Sequence, residues 1–112
     1  MTADEISENK NLYIDEVIAL YIRLPDTPVK PSYYDRITAS AFFDRNITLH
    51  IIETALLLAW IRRHSRNQNQ TALQPVRSLA YFVPVIQELS QSPMPDGYLQ
   101  YLRLKVKSFT TL

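Results

Sequence analysis

Residues 50–64 read HIIETALLLAWIRRH, a stretch that is apolar on nearly every side of a helix and then ends in positive charge. Together with Leu49, which precedes the stretch, its apolar residues cover two adjoining helical faces: Leu49, Ile52, Leu56 and Ala59 on one, and Ile51, Ala55, Leu58 and Ile61 on the other. A helix that is apolar on most sides is normally the central member of a bundle. We therefore predict a central helix that begins after Thr48, its N-cap, and extends to about His64.

Glycine is nearly absent, since Gly97 is the only one in 112 residues. The glycine-rich loops that let backbone amides approach a phosphate cannot be built, which excludes the common nucleotide-dependent enzymes. The usual signature of a β-hairpin, an Asn-Gly or Asp-Gly turn between alternating apolar and polar runs, is also missing. The prediction is an all-α fold.

Apolar residues at helical spacing predict helices on both sides of the central one. The first spans residues 11–24 and follows a flexible N-terminus over residues 1–10. Three prolines between Leu24 and Ser32 stop it, because proline lacks an amide hydrogen and crowds the preceding turn. The second helix spans residues 33–45, with Ser32 as its N-cap and Asn46 as a left-handed stop.

A fourth helix contains Pro84, which predicts a kink or a break into two short helices near residues 81–83. A last amphipathic helix follows, with Tyr98, Leu99, Leu102 and Val106 among its apolar positions. The chain is therefore predicted to be one domain over residues 1–112, a bundle of about five helices with a proline-kinked fourth helix.

The net charge of +1 conceals a division along the chain. Residues 1–44 contain eight acidic and four basic residues, and residues 45–112 contain eight basic and three acidic ones, so the halves carry −4 and +5. A basic half in a chain without a catalytic motif points to a phosphate backbone or an acidic protein surface. The alternative is that these cations only complement helix dipoles, because they lie near predicted C-terminal ends.

The candidate nucleic-acid-binding residues are the cations near the ends of the third and last helices: Arg62, Arg63, Arg66, Arg103, Lys105 and Lys107. Tyr98 and Tyr101 lie beside the second group and are candidates for stacking on bases, with core packing as the alternative. If nucleic acid is bound, we expect phosphate contacts rather than base reading. A helix-turn-helix around Ile47 is disfavoured, because the start of the would-be recognition helix is apolar.

No catalytic residue, metal site or cofactor is predicted. His50 and His64 are fourteen residues apart on one helix, about 20 Å along its axis, and cannot share a metal ion. No nucleophile has a base and an orienting group at a usable spacing. The chain has no cysteine and no apolar run near the roughly twenty residues that span a bilayer, so we expect a cytoplasmic protein without a membrane partner.

The segment FFDRNITLHIIETALLLAWIRRH, followed by PVRSLAYFVPVIQEL, resembles small helical proteins found on bacterial mobile elements beside replication and recombination genes. It is more distantly similar to DnaD-type replication domains, and the resemblance covers residues 36–89. It implies a DNA-associated, non-catalytic role in replication or transposition, with Arg62, Arg63 and Arg66 on the nucleic-acid side.

Two functional hypotheses therefore stand. The first is a nucleic-acid-associated accessory protein of a bacterial or mobile-element machine, which binds DNA or RNA without base specificity. The second is a protein interaction module, or a small helical subunit of a larger assembly such as an RNA-guided complex, which uses the acidic first helix against a protein partner.

Overall fold

The computed structural model describes residues 2–25, 27, 30–65 and 76–110, and this part of the chain is an all-α bundle without strands. Its elements are α1 (Ala3–Arg23), α2 (Tyr33–Asp44), α3 (Leu49–His64), a 3₁₀ turn (Leu79–Phe82), α4 (Val83–Gln91) and α5 (Tyr98–Thr110). The predicted fold class is confirmed.

The central position predicted for α3 is confirmed. It contacts α1, α4, α5 and the 3₁₀ turn, and eight of its residues are buried: Ile52, Thr54, Ala55, Leu56, Leu58, Ala59, Trp60 and Ile61. Thr48 caps it as predicted, since the Thr48 hydroxyl accepts a hydrogen bond from the Ile51 amide at 3.2 Å. Because its sequence is apolar on most sides, α3 is buried on almost every side.

Helices α1, α3 and α5 run in the same direction. Near the start of α3, the Tyr13 hydroxyl of α1 donates a hydrogen bond to the Ile47 carbonyl at 2.7 Å. Near its end, the Trp60 indole donates to the Pro25 carbonyl, just after α1, at 3.0 Å. The Phe109 ring in the last turns of α5 lies 5.8 Å from the Trp60 ring. The C-terminal ends of three helices therefore share one end of the bundle.

Helix α2 runs antiparallel to α1. Lys10 pairs with Asp44 at 2.8 Å, while Arg36, closer to the start of α2, pairs with Asp15 further along α1 at 3.1 Å. The turn to α3 is short because Asn46 adopts a positive φ of 59°, the left-handed stop that the sequence predicts.

The N-terminus differs from the prediction. Helix α1 begins at Ala3 rather than near residue 11, so residues 3–10 are helical instead of a flexible tail. The cause is a capping box: the Glu5 amide donates to the Thr2 hydroxyl at 3.2 Å, and the Thr2 amide donates to the Glu5 carboxylate at 3.3 Å. Residues 2–9 are all exposed, so capping rather than packing starts this helix.

The predicted fourth helix is broken at the expected place. The 3₁₀ turn ends at Phe82 and α4 begins at Val83, which puts Pro84 in the first turn of a new helix. At that position the missing amide hydrogen of proline costs no intrahelical bond. Pro84 therefore starts α4 instead of bending a longer helix.

A buried polar contact joins the two halves of the chain. Asp35 is only 2% exposed, and its carboxylate accepts hydrogen bonds from the Ser32 amide at 2.8 Å and the Leu79 amide at 2.9 Å. Tyr21 is fully buried nearby, and its hydroxyl has no hydrogen-bond partner among the described residues. Burial, with a smaller contribution from the charge of Asp35, raises the pKa of Tyr21 to about 12.

Candidate nucleic-acid interface

Cations gather at the end of the bundle where α1, α3 and α5 terminate. We call this the basic end and define it by Lys30, Arg63, Arg77 and Lys107. Arg63 lies in the last turn of α3 and Lys107 in the last turns of α5, while Lys30 and Arg77 lie in the segments that lead into α2 and the 3₁₀ turn. Asp35, an acidic residue in the first turn of α2 beside these segments, is buried.

Acidic residues gather at the opposite end. Asp4, Glu5 and Glu8 lie in the first turns of α1, and Asp96 directly precedes the start of α5. Because α1 and α5 run parallel, these carboxylates lie at the end away from the basic end. Charge is therefore divided in space as well as along the sequence, although Lys30 comes from the acidic half of the sequence and Asp96 from the basic half.

Arg62, a predicted phosphate ligand, is held in an ion pair within the bundle. Its guanidinium donates two hydrogen bonds to the Glu88 carboxylate, at 2.8 and 2.9 Å. These bonds raise the pKa of Arg62 and lower that of Glu88. A bidentate pair of this kind offsets the arginine charge and occupies its donors. Arg62 is therefore less suited than predicted to hold a phosphate.

Arg103 is held in the same way. It donates two hydrogen bonds to Glu53, at 2.6 and 2.7 Å, and these bonds raise the pKa of Arg103. The residue lies in the first half of α5 and pairs with the first half of α3. Its predicted position near a helix end is therefore wrong, and its side chain ties α5 to α3.

Arg63 lies beside an aromatic ring. Its guanidinium carbon lies 5.6 Å from the centre of the Tyr81 ring, and one of its nitrogens lies 3.4 Å from the Tyr81 hydroxyl. Tyr81 is 44% exposed. A shallow depression of about 390 Å³ lies over this pair, lined also by Ala59, Arg62 and Val85. A cation beside a half-exposed ring can contact a phosphate and its attached sugar or base together.

Lys105 and the two predicted stacking tyrosines lie away from Arg63, in the first two turns of α5. The Lys105 ammonium lies 5.7 Å from the centre of the Tyr101 ring, and the Tyr98 and Tyr101 ring centres are 5.8 Å apart. Tyr98 is half-buried and packs against the core, whereas Tyr101 is 52% exposed. Tyr98 therefore packs against the core, which is the alternative to stacking on bases, while the Tyr101 ring is exposed to solvent.

The remaining candidates divide between the described and undescribed parts of the chain. Lys107 is exposed on the last turns of α5, and Arg66 lies outside the described residues. Sequence reasoning missed Lys30 and Arg77 as members of the basic end. They are 47 positions apart in sequence, and only the folded structure places both at the same end of the bundle. No single stretch of sequence signals their proximity.

Trp60, the only tryptophan, lies at this end and gives it a spectroscopic reporter. The His64 ring stacks on the Trp60 ring with a centre-to-centre distance of 3.7 Å, and the His64 Nδ1 lies 2.8 Å from the Trp60 carbonyl. A ligand that displaces or reorients His64 would change the surroundings of the indole.

Comparison with protein-family models, curated proteins and solved structures finds no match to this chain. Within the described ranges, no helix combines the length and apolar character that a membrane crossing requires. The functional argument therefore depends on the distribution of charge, aromatic rings and apolar surface over the bundle.

Proposed function

We propose that this chain is a non-catalytic accessory protein of a nucleic-acid machine, and that its basic end binds the phosphate backbone of DNA or RNA. The observation that carries the proposal is the separation of charge: cations from four segments lie at one end of the bundle, and carboxylates lie at the other. Such a field orients the protein toward a polyanion and speeds its association.

The proposal excludes base-specific reading. The cations of the basic end lie on helix C-terminal turns and connecting segments, which reach phosphates rather than the floor of a groove. At the start of α3, Ile52 and Thr54 are buried and Ile51 is half-buried. The first turns of α3 therefore have few side chains that can contact base edges. The resemblance to mobile-element proteins supports a role beside replication or recombination enzymes.

Replacing Arg63 and Arg77 with alanine is expected to weaken binding to any sequence by about tenfold or more. The slope of log affinity against log salt on duplex DNA should flatten by about 1.8, since each lost phosphate contact removes about 0.9. Fluorescence anisotropy with a labelled duplex and a labelled single strand, over a salt series, measures both quantities. Trp60 fluorescence should change on binding in the wild-type protein.

The matched control removes the same charge from the other end. The Lys10→Ala, Arg45→Ala variant changes two cations that lie beside the start of α1 and the end of α2, and it should leave the salt slope unchanged. If the two double variants lost affinity for nucleic acid equally, only the net charge of the protein would matter. Binding by the wild-type protein that did not depend on salt would contradict the proposal.

The outward face of α2 favours a second candidate function, a protein interaction module. Tyr33 is 74% exposed, Tyr34 76% and Ile37 48%, and Ala41 continues the same face. A solvent-facing helix normally carries charged residues there. An apolar face with two exposed tyrosines is instead typical of a surface that is covered by a partner.

Changing Tyr33, Tyr34 and Ile37 to serine should abolish the recovery of a stoichiometric protein partner from native cells, while the melting temperature changes little. Leu12→Ser is the control, because Leu12 is also apolar and 59% exposed but lies on α1. Co-purification followed by mass spectrometry measures the loss. A partner retained by the triple variant would show that α2 does not hold it.

A further inference from the structure

The outward face of α2, formed by Tyr33, Tyr34, Ile37 and Ala41, is apolar and exposed. A helix turns by about 100° per residue, so these four side chains lie within one stripe about 100° wide, on the side of α2 away from its buried residues. Asp44 lies within the same stripe, at the C-terminal end of the helix. The stripe therefore extends over the whole length of α2.

Side-chain size divides this face into two halves. The bulky residues Tyr33, Tyr34 and Ile37 lie in the first half of α2, whereas Ala41 in the second half is small. Two α2 helices that pack antiparallel therefore bring the bulky half of each onto the small half of the other. At the centre of such a pair, Ile37 of each copy packs against Ala41 of the other copy. The face is thus complementary in shape to a second, reversed copy of itself.

The charge of Asp44 favours the same antiparallel orientation. It places Asp44 at the end of one α2 beside the start of the other, where the Tyr33 and Tyr34 hydroxyls can donate hydrogen bonds to the carboxylate. The Asp44 side chain pairs with Lys10 at 2.8 Å but is still 62% exposed, so it has room for a second donor. In a parallel pair, the two Asp44 carboxylates would instead face each other and repel.

The charge separation of the whole bundle adds a longer-range attraction. Helix α2 begins at the basic end, after Lys30, and ends beside Lys10 in the early turns of α1, towards the acidic end. Two copies with antiparallel α2 helices therefore set the basic end of each beside the acidic end of the other. Opposite charges attract the copies in this orientation, and like charges repel them in the parallel one.

We propose that the outward face of α2 binds the same face of a second copy of this chain, in an antiparallel dimer with two-fold symmetry. The proposal rests on the second candidate function, the interaction module, and names its partner. The two tyrosines expose roughly 300 Å² per copy, so the tyrosines of both copies supply about half of the roughly 1,200 Å² that the smallest specific interfaces bury. We therefore expect a weak dimer in equilibrium with the monomer.

Charge substitution at the central contact tests the proposal by sedimentation velocity without nucleic acid. The wild-type protein should dimerise as its concentration rises. Ile37→Lys and Ala41→Glu should each raise the dimer dissociation constant at least about tenfold, because each places an unpaired charge against an apolar side chain. Both positions are exposed in the monomer, so circular dichroism should show unchanged helix content. Leu104→Lys is the matched control, since Leu104 is 68% exposed but lies on α5, and it should leave the dimer intact.

A mixture of the two variants tests whether the two positions meet. In the antiparallel heterodimer, the new lysine at position 37 of one copy faces the new glutamate at position 41 of the other, and the second central contact keeps Ile37 and Ala41. An equimolar mixture should therefore form a heterodimer although each variant alone dimerises poorly. A fluorescent label on one variant identifies the heterodimer in the sedimentation profile.

Three results would overturn the proposal: a wild-type protein that stays monomeric at millimolar concentration, a dimer that Ile37→Lys does not weaken, or a mixture that forms no heterodimer. If the monomeric protein still recovered a different protein through α2, the interaction-module function would stand and the dimer would not. Because no nucleic acid is present, these results are independent of phosphate binding by the basic end.

Discussion

Replacing Phe82 with alanine is expected to lower the free energy of unfolding by about 3–5 kcal/mol, a large fraction of the total for a domain of this size. The side chain is 1% exposed and lies against the Tyr21 ring, with the ring centres 6.0 Å apart. The alanine variant loses this edge-to-face contact and leaves a cavity where the 3₁₀ turn packs on α1 and α3. Urea unfolding followed by circular dichroism measures the change.

Tyr81→Ala is the matched control for Phe82→Ala. Tyr81 precedes Phe82 in the same 3₁₀ turn but is 44% exposed, and its ring contacts Arg63 at the surface. Its loss should cost about 1 kcal/mol or less, because little apolar area leaves water when it folds. Similar losses in the two variants would mean that backbone conformation, rather than burial of the Phe82 ring, sets the stability of this turn.

The parts of the fold that sequence predicts correctly are those with local causes. Thr48 and Ser32 cap helices through bonds to residues three positions ahead, and Asn46 ends α2 through its own backbone conformation. The break at Pro84 follows from one missing amide hydrogen. Each signal is contained within a few residues, so it can be read before the fold is known.

The start of α1 was readable in principle but was missed. Thr2 and Glu5 have the spacing of a capping box, yet no apolar periodicity accompanies them, because residues 2–9 are exposed rather than part of the core. A prediction that weighs periodicity above capping therefore places the helix start too late. A helix that capping alone supports can extend beyond the core.

The candidate site could be predicted only in outline. The excess of cations in the second half of the chain is visible in sequence, but the pairing of Arg62 with Glu88 is not, since the residues are 26 positions apart. Arg103 and Glu53 are 50 positions apart. Sequence alone therefore cannot show which cations are paired with carboxylates far away in the chain, as Arg62 and Arg103 are.

Asp35 gives the second large expected effect. Asp35→Ala should lower the free energy of unfolding by about 3 kcal/mol, because it removes a helix cap and leaves the buried Leu79 amide without an acceptor. It also removes a negative charge from the first turn of α2, where the helix dipole favours one. Urea unfolding measures the loss.

The Asp35→Asn variant removes the negative charge of Asp35 but keeps a side chain of similar size, so it distinguishes the effect of the charge from that of the hydrogen bonds. The amide oxygen can still accept one of the two hydrogen bonds, so the loss of stability should be smaller than in Asp35→Ala. The pKa of Tyr21 should fall in both variants, since the Asp35 carboxylate contributes to raising it to about 12. Ultraviolet absorbance near 295 nm follows that ionisation as pH rises, over the range in which the fold persists. An unchanged Tyr21 pKa in both variants would show that burial alone raises it, and that Asp35 acts only through its hydrogen bonds to Ser32 and Leu79.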